Sequence, residues 1–382
     1  MRMSLRMLIS LIIGVLPGSH VTSANADADE LSKAVAALSA VGPNAQGHRE
    51  AQSAWKNVAA AGPDRIPDLL ASLDAAGPLA RNWIRAAIEA VVDRARTSGS
   101  PVPQDDIEAF IRDVAHTPAA RRLAYEILTQ FDGSARERLL AGFLDDPSTE
   151  LRREAIDRLV DDAEKANGPT EKTAALKRAF AASRDLDQIK DLAAKLEKLG
   201  EQVDLPSHFG FVTQWKLIGP FDNTGEKGFD VAYPPEESTD ILKKHVGKNG
   251  TEVGWIDYVT SDKHGNVDLN AALGKNKGAT AYALTTFRSA QPRSVDIRIG
   301  SNNAIKVWVN GKLCDSRKAY HSGFEIDQYT SRAELHEGSN EILVKVCENE
   351  QTESWAQDWN FQLRVCDSVG TAIFSTDRIA TK

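Results

Sequence analysis

Near residue 207 the hydrophobic period of this chain changes from helical to alternating, which calls for two architectures in series. From residue 29 to about 200 the chain is rich in Ala, Leu, Arg, Asp and Glu. Ile107, Phe110, Ile111 and Val114 follow the i, i+3, i+4, i+7 rule of an amphipathic helix. Leu151, Ala155, Ile156, Leu159 and Val160 mark a second stripe, and Ile189, Leu192, Leu196 and Leu199 a third. Start signals accompany them. Ser134 with Glu137 has the form of a capping box. Asp146 before Pro147 reads as an N-cap with proline at the first helical position. Asp185 with Gln188 is a weaker pair of the same kind.

A motif recurs inside the helical part. Ala87-Ile88-Glu89-x-Val91 returns as Ala124-Tyr125-Glu126-x-Leu128 and as Ala155-Ile156-Asp157-x-Leu159. The last two copies share an upstream pair, Arg121-Arg122 and Arg152-Arg153. Between them runs Leu139-Leu140-x-x-Phe143-Leu144-Asp145-Asp146-Pro147, a helix ending in an acidic turn. Over roughly residues 48–165 this resembles HEAT-type (armadillo-like) repeats. The resemblance implies helix pairs that bury their apolar faces only by stacking into an α-solenoid. Such solenoids hold protein partners, but the legible pattern is the stacking pattern and specifies no partner. The arginines could face a ligand; pairing with a neighbouring Asp or Glu is the simpler expectation.

Downstream, alternation and β-branched or aromatic enrichment predict strands near 211–218, 279–288, 293–299, 304–309, 312–316, 340–347 and 358–366. Val307-Trp308-Val309-Asn310-Gly311-Lys312 is a hairpin signature, because Asn-Gly supplies the two positive φ values of a type I′ turn. Short, evenly spaced strands of this kind argue for an antiparallel β-sandwich.

Arg298-x-Gly300-Ser301, the hairpin Lys306 to Lys312, and Leu335-x-x-Gly338-x-Asn340-x-Ile342 carry a resemblance. Over residues 280–366 they resemble the galactose-binding-like jelly roll. The likeness is to the sugar-binding domain beside the catalytic barrel of β-galactosidase- and β-glucuronidase-type glycoside hydrolases. Trp215-x-x-Ile218-Gly219-Pro220-Phe221-Asp222-Asn223 is similar to the opening strand and loop of such domains in exported bacterial proteins. The pairing with HEAT-like repeats resembles secreted proteins of planctomycete-type bacteria. These motif residues make turns and strands, so they imply a fold and leave function open.

The expected organisation is therefore a leader over 1–26, a HEAT-like repeat domain over 27–200, a linker over 201–206 and a jelly-roll domain over 207–382. The leader reading rests on Arg2 and Arg6, the apolar run Met7 to Leu16, and Ala24-Asn25-Ala26 before the cleavage point. It implies a secreted or periplasmic protein with no membrane span after cleavage. The net charge is −8. A balance of that sign argues against a nucleic-acid partner, which needs a basic footprint. Cys314, Cys347 and Cys366 are the only cysteines. Export permits one internal bridge, with Cys347 and Cys366 as the candidates; three reduced, buried thiols are the alternative.

No His-Glu-x-x-His, Gly-x-Ser-x-Gly or Walker-type loop occurs. The histidines show no metal-ligand spacing, so no catalytic residue, metal or cofactor is expected. Sugar sites use a flat aromatic face beside Asp, Asn or Arg. Candidate ligand contacts are Asp222 and Asn223 at a strand exit, Tyr320 in the loop after Cys314, and Trp355, Asp358 and Trp359 between the last two strands. For each aromatic the competing reading is packing over the end of the sandwich. The expected function is an exported, non-catalytic binding or scaffold protein. The solenoid would serve a protein partner, and the jelly roll a glycan or a second protein. The alternatives are an accessory subunit or divergent enzyme of polysaccharide degradation, and a purely structural periplasmic scaffold.

Overall fold

The computed structural model describes residues 20–166 and 168–378, with residues 20–28 described by backbone alone. The charged start and apolar run of the expected leader lie outside them. The chain divides into two compact units, 1–151 and 152–382. Secondary structure changes from helix to strand near the expected linker 201–206, whereas the packing division falls earlier, at Leu151. No helix among the described residues is long and apolar enough to cross a membrane.

The first unit is helical: α1 His20–Ser39, α2 His48–Ala59, α3 Ile66–Ala71, α4 Pro78–Ser98, α5 Gln104–Arg112, α6 Pro118–Phe131 and α7 Ala135–Leu140. Proline opens α4 and α6 at a position where a missing N–H costs nothing. Gly99 ends α4 with φ 68°, a left-handed conformation that glycine adopts freely. Helix α8, Thr149–Lys165, spans the division, and α9 Pro169–Ala182 and α10 Leu186–Lys198 belong to the second unit. The recurring Ala87-Ile88, Ala124-Tyr125 and Ala155-Ile156 are all buried. Val114 lies beyond the end of α5 and is exposed, as is Leu199 after α10.

The expected caps are used differently. Asp146 does not cap a helix at Pro147, since α8 begins at Thr149 and Ser148 Oγ accepts from Leu151 N. Asp146 is instead buried and holds the 1%-exposed Arg121 in a two-bond fork, 2.8 and 2.7 Å. Arg121 Nε donates to Ile111 O (2.7 Å), and Ser148 N donates to Asp146 Oδ1 (2.7 Å). A guanidinium reaching three acceptors offsets part of the large cost of burying the charge. Ser134 also makes no capping bond. Its N–H and hydroxyl both donate to Asp132, 2.8 and 2.7 Å, so the N–H that a box would give to Glu137 is already taken. Asp185 pairs with Arg153 (3.0 Å) in place of capping α10.

Twelve strands follow among the described residues. They are β1 Gln214–Asp222, β2 His245–Val246, β3 Glu252–Val253, β4 Ile256–Val259, β5 Val267–Asp268 and β6 Ala279–Ser289. Then come β7 Arg293–Gly300, β8 Ala304–Val309, β9 Lys312–Arg317, β10 Tyr329–Leu335, β11 Gly338–Glu348 and β12 Asn360–Cys366. All pairings are antiparallel. One six-stranded sheet has the order β4-β1-β6-β11-β8-β9, a four-stranded sheet has the order β10-β7-β12-β5, and β2 pairs with β3. Alternate residues of both larger sheets, among them Leu217, Ala281, Val344, Ile297 and Leu363, form one buried apolar cluster. Strand β10 escaped the sequence reading because Tyr329–Leu335 carries Thr, Arg and Glu on its exposed face and Ser331 among its inward positions.

The Asn310-Gly311 turn forms as its sequence requires, with φ 51° and 74°. Asn310 Nδ2 donates to Asn340 Oδ1 (2.8 Å), so this turn is bonded to the Gly338–Asn340 turn. The cysteines form no bridge. Cys347 is the penultimate residue of β11 and Cys366 ends β12, strands of different sheets. Cys347 Sγ lies 3.3 Å from the Thr280 hydroxyl, and burial pushes its thiol up to about 11. Both act as small buried hydrophobes.

In the second unit His208 joins the helices to the turn before β1. Its Nε2 donates to Ser183 O (3.1 Å), and its ring lies 4.2 Å from Phe180. Burial, with Arg184 nearby, pushes its pKa down to about 4. A group with a depressed folded pKa binds fewer protons folded than unfolded. The native state should therefore lose stability as pH falls from about 6.5 towards 4, and His208→Gln should flatten that stretch of a urea-stability curve. In the first unit, Asp146→Ala leaves Arg121 charged and unpaired; a loss of roughly 3–5 kcal/mol in urea unfolding is expected.

Candidate functional site

The strands of both sheets deliver four loops to one end: 222–229 after β1, 301–303 between β7 and β8, 318–328 between β9 and β10, and 349–359 between β11 and β12. Sequence candidates from three separate regions meet there. At its centre is Glu348, 1% exposed. One carboxylate oxygen accepts from Lys277 Nζ and the other from Asn303 Nδ2, and the backbone carbonyl accepts from Asn223 Nδ2 (2.8 Å). Burial raises the Glu348 carboxyl above its ordinary range, against the pull of Lys277. Asn303 also donates to Asp358 O (3.1 Å) and accepts from Asn360 N (3.0 Å). Asn223 Nδ2 lies 3.2 Å from the Tyr320 hydroxyl, and Asn223 N donates to Gly278 O (2.7 Å). Buried polar groups need such partners, and here the partners tie the loops into one network.

This divides the candidates by what their side chains do. Asn223 is fully buried and holds loops together. Tyr320 packs against Phe229, Ala304 and Cys347, and burial raises its phenol. Trp359 is 1% exposed; it sits in the main core, with Nε1 donating to Val346 O (3.3 Å). Trp355, four residues earlier, is 61% exposed. Its ring stands edge-on to His321, 5.1 Å between centroids at 88°. His321 Nε2 and Asn349 Oδ1 are 2.9 Å apart, and His321 N donates to Asn302 O (2.6 Å). Asp358 is exposed, with Asn302 Nδ2 3.5 Å from its carboxylate. Asp222 is exposed as well. The Thr224 hydroxyl donates to it (2.7 Å), Lys248 lies 3.5 Å away, and together they lower its pKa.

Sequence reasoning did not select Glu348, Lys277 or Asn303 as members. The signal for Glu348 was its place as the last residue of an alternating apolar strand, where a charge must meet a partner or leave the core. Its partners lie 71 and 45 positions away in sequence. Among the described residues no group of three His, Cys, Asp or Glu could hold a metal ion.

A concavity of about 560 Å³ opens elsewhere in the second unit, where β1 parts from β6. Pairing of the two strands stops at Lys216 with Leu284. Val212 N donates to Leu363 O of the other sheet, and Thr376 N takes up Arg288 O. The gap between is lined by Gln214, Lys216, Thr286 and Glu341, with Ile241 and Phe374 at its sides. None of the sequence candidates lies in it.

No family model matches the chain, and no curated protein matches it. Among solved structures, an anti-sigma factor domain-containing protein from Clostridium clariflavum aligns at 11% identity. The alignment covers 43% of this chain and 45% of that one, with a TM-score of 0.25. A β-glucosidase from Kluyveromyces marxianus in complex with glucose aligns at 12% identity, covering 78% of this chain and 37% of that one, with a TM-score of 0.26. An alkylpurine DNA glycosylase from Pseudomonas fluorescens, bound to DNA containing an abasic site analogue, aligns at 10% identity. It covers 90% of this chain and 95% of that one, with a TM-score of 0.19. The chain spans under half the length of the first two of these. At such scores the superpositions establish neither a shared fold nor a shared activity.

Removing the counter-charge of Glu348 tests the network. Lys277→Met leaves a buried carboxylate without its cation, and a loss of roughly 3–5 kcal/mol at neutral pH is expected. The folded pKa of Glu348 lies above its unfolded value, so protonation favours the folded state. The deficit should shrink as pH falls towards the ordinary Glu range, read as the gap between wild-type and variant urea midpoints.

Proposed function

We propose that this chain is an exported, non-catalytic binding protein whose second half is a jelly roll that takes a glycan at the Trp355 end. One observation carries this reading: Trp355 turns its ring to solvent while Trp359 is in the core. An indole left mostly in water at that loop, with only the edge contact to His321, exposes a large apolar area. The apolar face of a pyranose ring would cover it, and Asp358, Asn302 and His321 stand close by as hydroxyl partners. The network around Glu348 supports the reading in a second way. It holds the loops in place before a ligand arrives, which lowers the ordering cost of binding. On the same reading the first half is a HEAT-like solenoid that serves a protein partner.

A glycan array probed with the wild-type chain, Trp355→Ala and Trp359→Ala tests it. Trp355→Ala should lose the glycan signal while its unfolding free energy stays within the range of a surface substitution, about ±0.5 kcal/mol. Trp359→Ala should instead cost roughly 3–5 kcal/mol of stability. A blank wild-type array, or glycan binding that survives Trp355→Ala, would overturn the sugar reading.

A further inference from the structure

Where β1 parts from β6, the register shows which backbone bonds are missing. Lys216 pairs with Leu284, so the next bonded pair would be Gln214 with Thr286, and the ladder omits it. Thr286 cannot turn to its other neighbour, Glu341 of β11. Glu341 N donates to Asn310 Oδ1 and Glu341 O accepts from Asn310 N, both 2.9 Å and both on the β8 side. The N–H and C=O of Thr286 therefore point into the gap. Gln214 does the same from β1. Thr213 O accepts from Thr260 N on the β4 side (3.0 Å), so the next residue presents its N–H and C=O to the opposite side. Both Gln214 and Thr286 are exposed. Unpaired main-chain groups on two strand edges are what an added extended segment bonds to.

The gap is a bowl closed at both ends. One end is the Lys216–Leu284 pair. At the other, Thr376 N donates to Arg288 O and Arg288 N to Ser375 Oγ, 3.0 and 2.8 Å. The floor is apolar, since Trp215, Phe287 and Ile373 belong to the main core. A strand running through would need an open far end. This shape takes the end of a chain, entering from the solvent face of the sheet. The charges say which end. Lys216 is held by Asp257 (2.6 Å) and Asp377 by Arg288 (3.2 Å). Arg378 is half-buried in the wall, donates to Ser207 Oγ (3.2 Å) and lies over the Phe374 ring. Asp204 attracts it without reaching ion-pair distance, and among the described residues it has no carboxylate partner. A guanidinium placed so is suited to a carboxylate.

We propose that this bowl receives the C-terminal end of an extended segment from a protein partner. The α-carboxylate pairs with Arg378. The backbone of the last residues bonds to Gln214 and Thr286, and an apolar last side chain lies on Trp215, Phe287 and Ile373. Glu341, which accepts from the Thr239 hydroxyl (2.8 Å) on the solvent face, stands beside the path of the incoming chain and disfavours an acidic residue there. The proposal does not depend on the sugar reading at the Trp355 end.

The test is fluorescence anisotropy of the full chain with N-terminally labelled Gly-Thr-Gly-Leu. The peptide with a free carboxylate should bind saturably. Its C-terminal amide should bind about tenfold more weakly, the scale of one hydrogen bond to a charged group. N-methylation of the last two amide nitrogens should weaken the acid peptide as well. Arg378→Gln should lower the affinity for the acid peptide to that for the amide and leave the amide unchanged. A melt checks that this variant is folded, and the peptide comparisons on the unaltered chain stand whatever it does. No saturable binding of the acid peptide, equal binding of acid and amide, indifference to N-methylation, or undiminished binding in a folded Arg378→Gln would each overturn the proposal. A dimer in sedimentation that Arg378→Gln dissolves would assign the bowl to a second copy and overturn it too.

Discussion

Burial of alternate residues from two sheets in one apolar cluster is the constraint on which the second unit depends. Each strand has to send every second side chain inward, so a polar residue at such a position must find a partner or mark the end of the strand. Glu348 is that case. It closes β11 at the rim of the core, and the charge of Lys277 with the amide of Asn303 makes its burial tolerable. Lys345, fully buried on the same strand, follows the same rule. Its ammonium donates to Phe229 O, Val231 O and Glu236, which holds the segment after β1 across the six-stranded sheet.

Once the rim is tied in this way, the free side chains at that end are few. Asn223, Tyr320 and Trp359 serve the network or the core, and Trp355, Asp358 and Asp222 remain open to solvent. A surface for a ligand is thus what is left after buried polar groups have found partners. The helical units obey the same accounting with arginine in place of lysine. Arg121 is met by Asp146, Arg153 by Asp185 and Asp187, and Arg152 Nη1 reaches Ala182 O. Gln188 Oε1, like Thr117 Oγ1 in the first unit, departs from this pattern.

Most elements were legible from local spacing alone. The helical stripes around Ile107, Ile156 and Ile189 became helices, and six of the seven expected strands were matched to within three residues at each end, β1 being shifted towards its C-terminus. The capping signals were misread for one reason. Ser134, Asp146 and Asp185 are chemically able to cap, but an arginine or a neighbouring carboxylate binds them more strongly than a backbone N–H does. The candidate site was legible as a region and not as roles. The motif Trp355-x-x-Asp358-Trp359 marked a loop at the correct end, yet nothing local distinguishes its two indoles.

By itself the sequence determined where the hydrophobic period changes, the helical and strand character of each half, and the Asn310-Gly311 turn. Each of these depends on residues within a few positions of one another. Only the tertiary structure decided which tryptophan is buried, that Cys347 and Cys366 stand in different sheets, that Asp146 belongs to Arg121, and that Gln188 is left with an unpaired oxygen. Those outcomes depend on partners 13 to 67 positions away, brought together by packing. A spacing pattern encodes which face a residue lies on. It does not encode what the opposite face will offer.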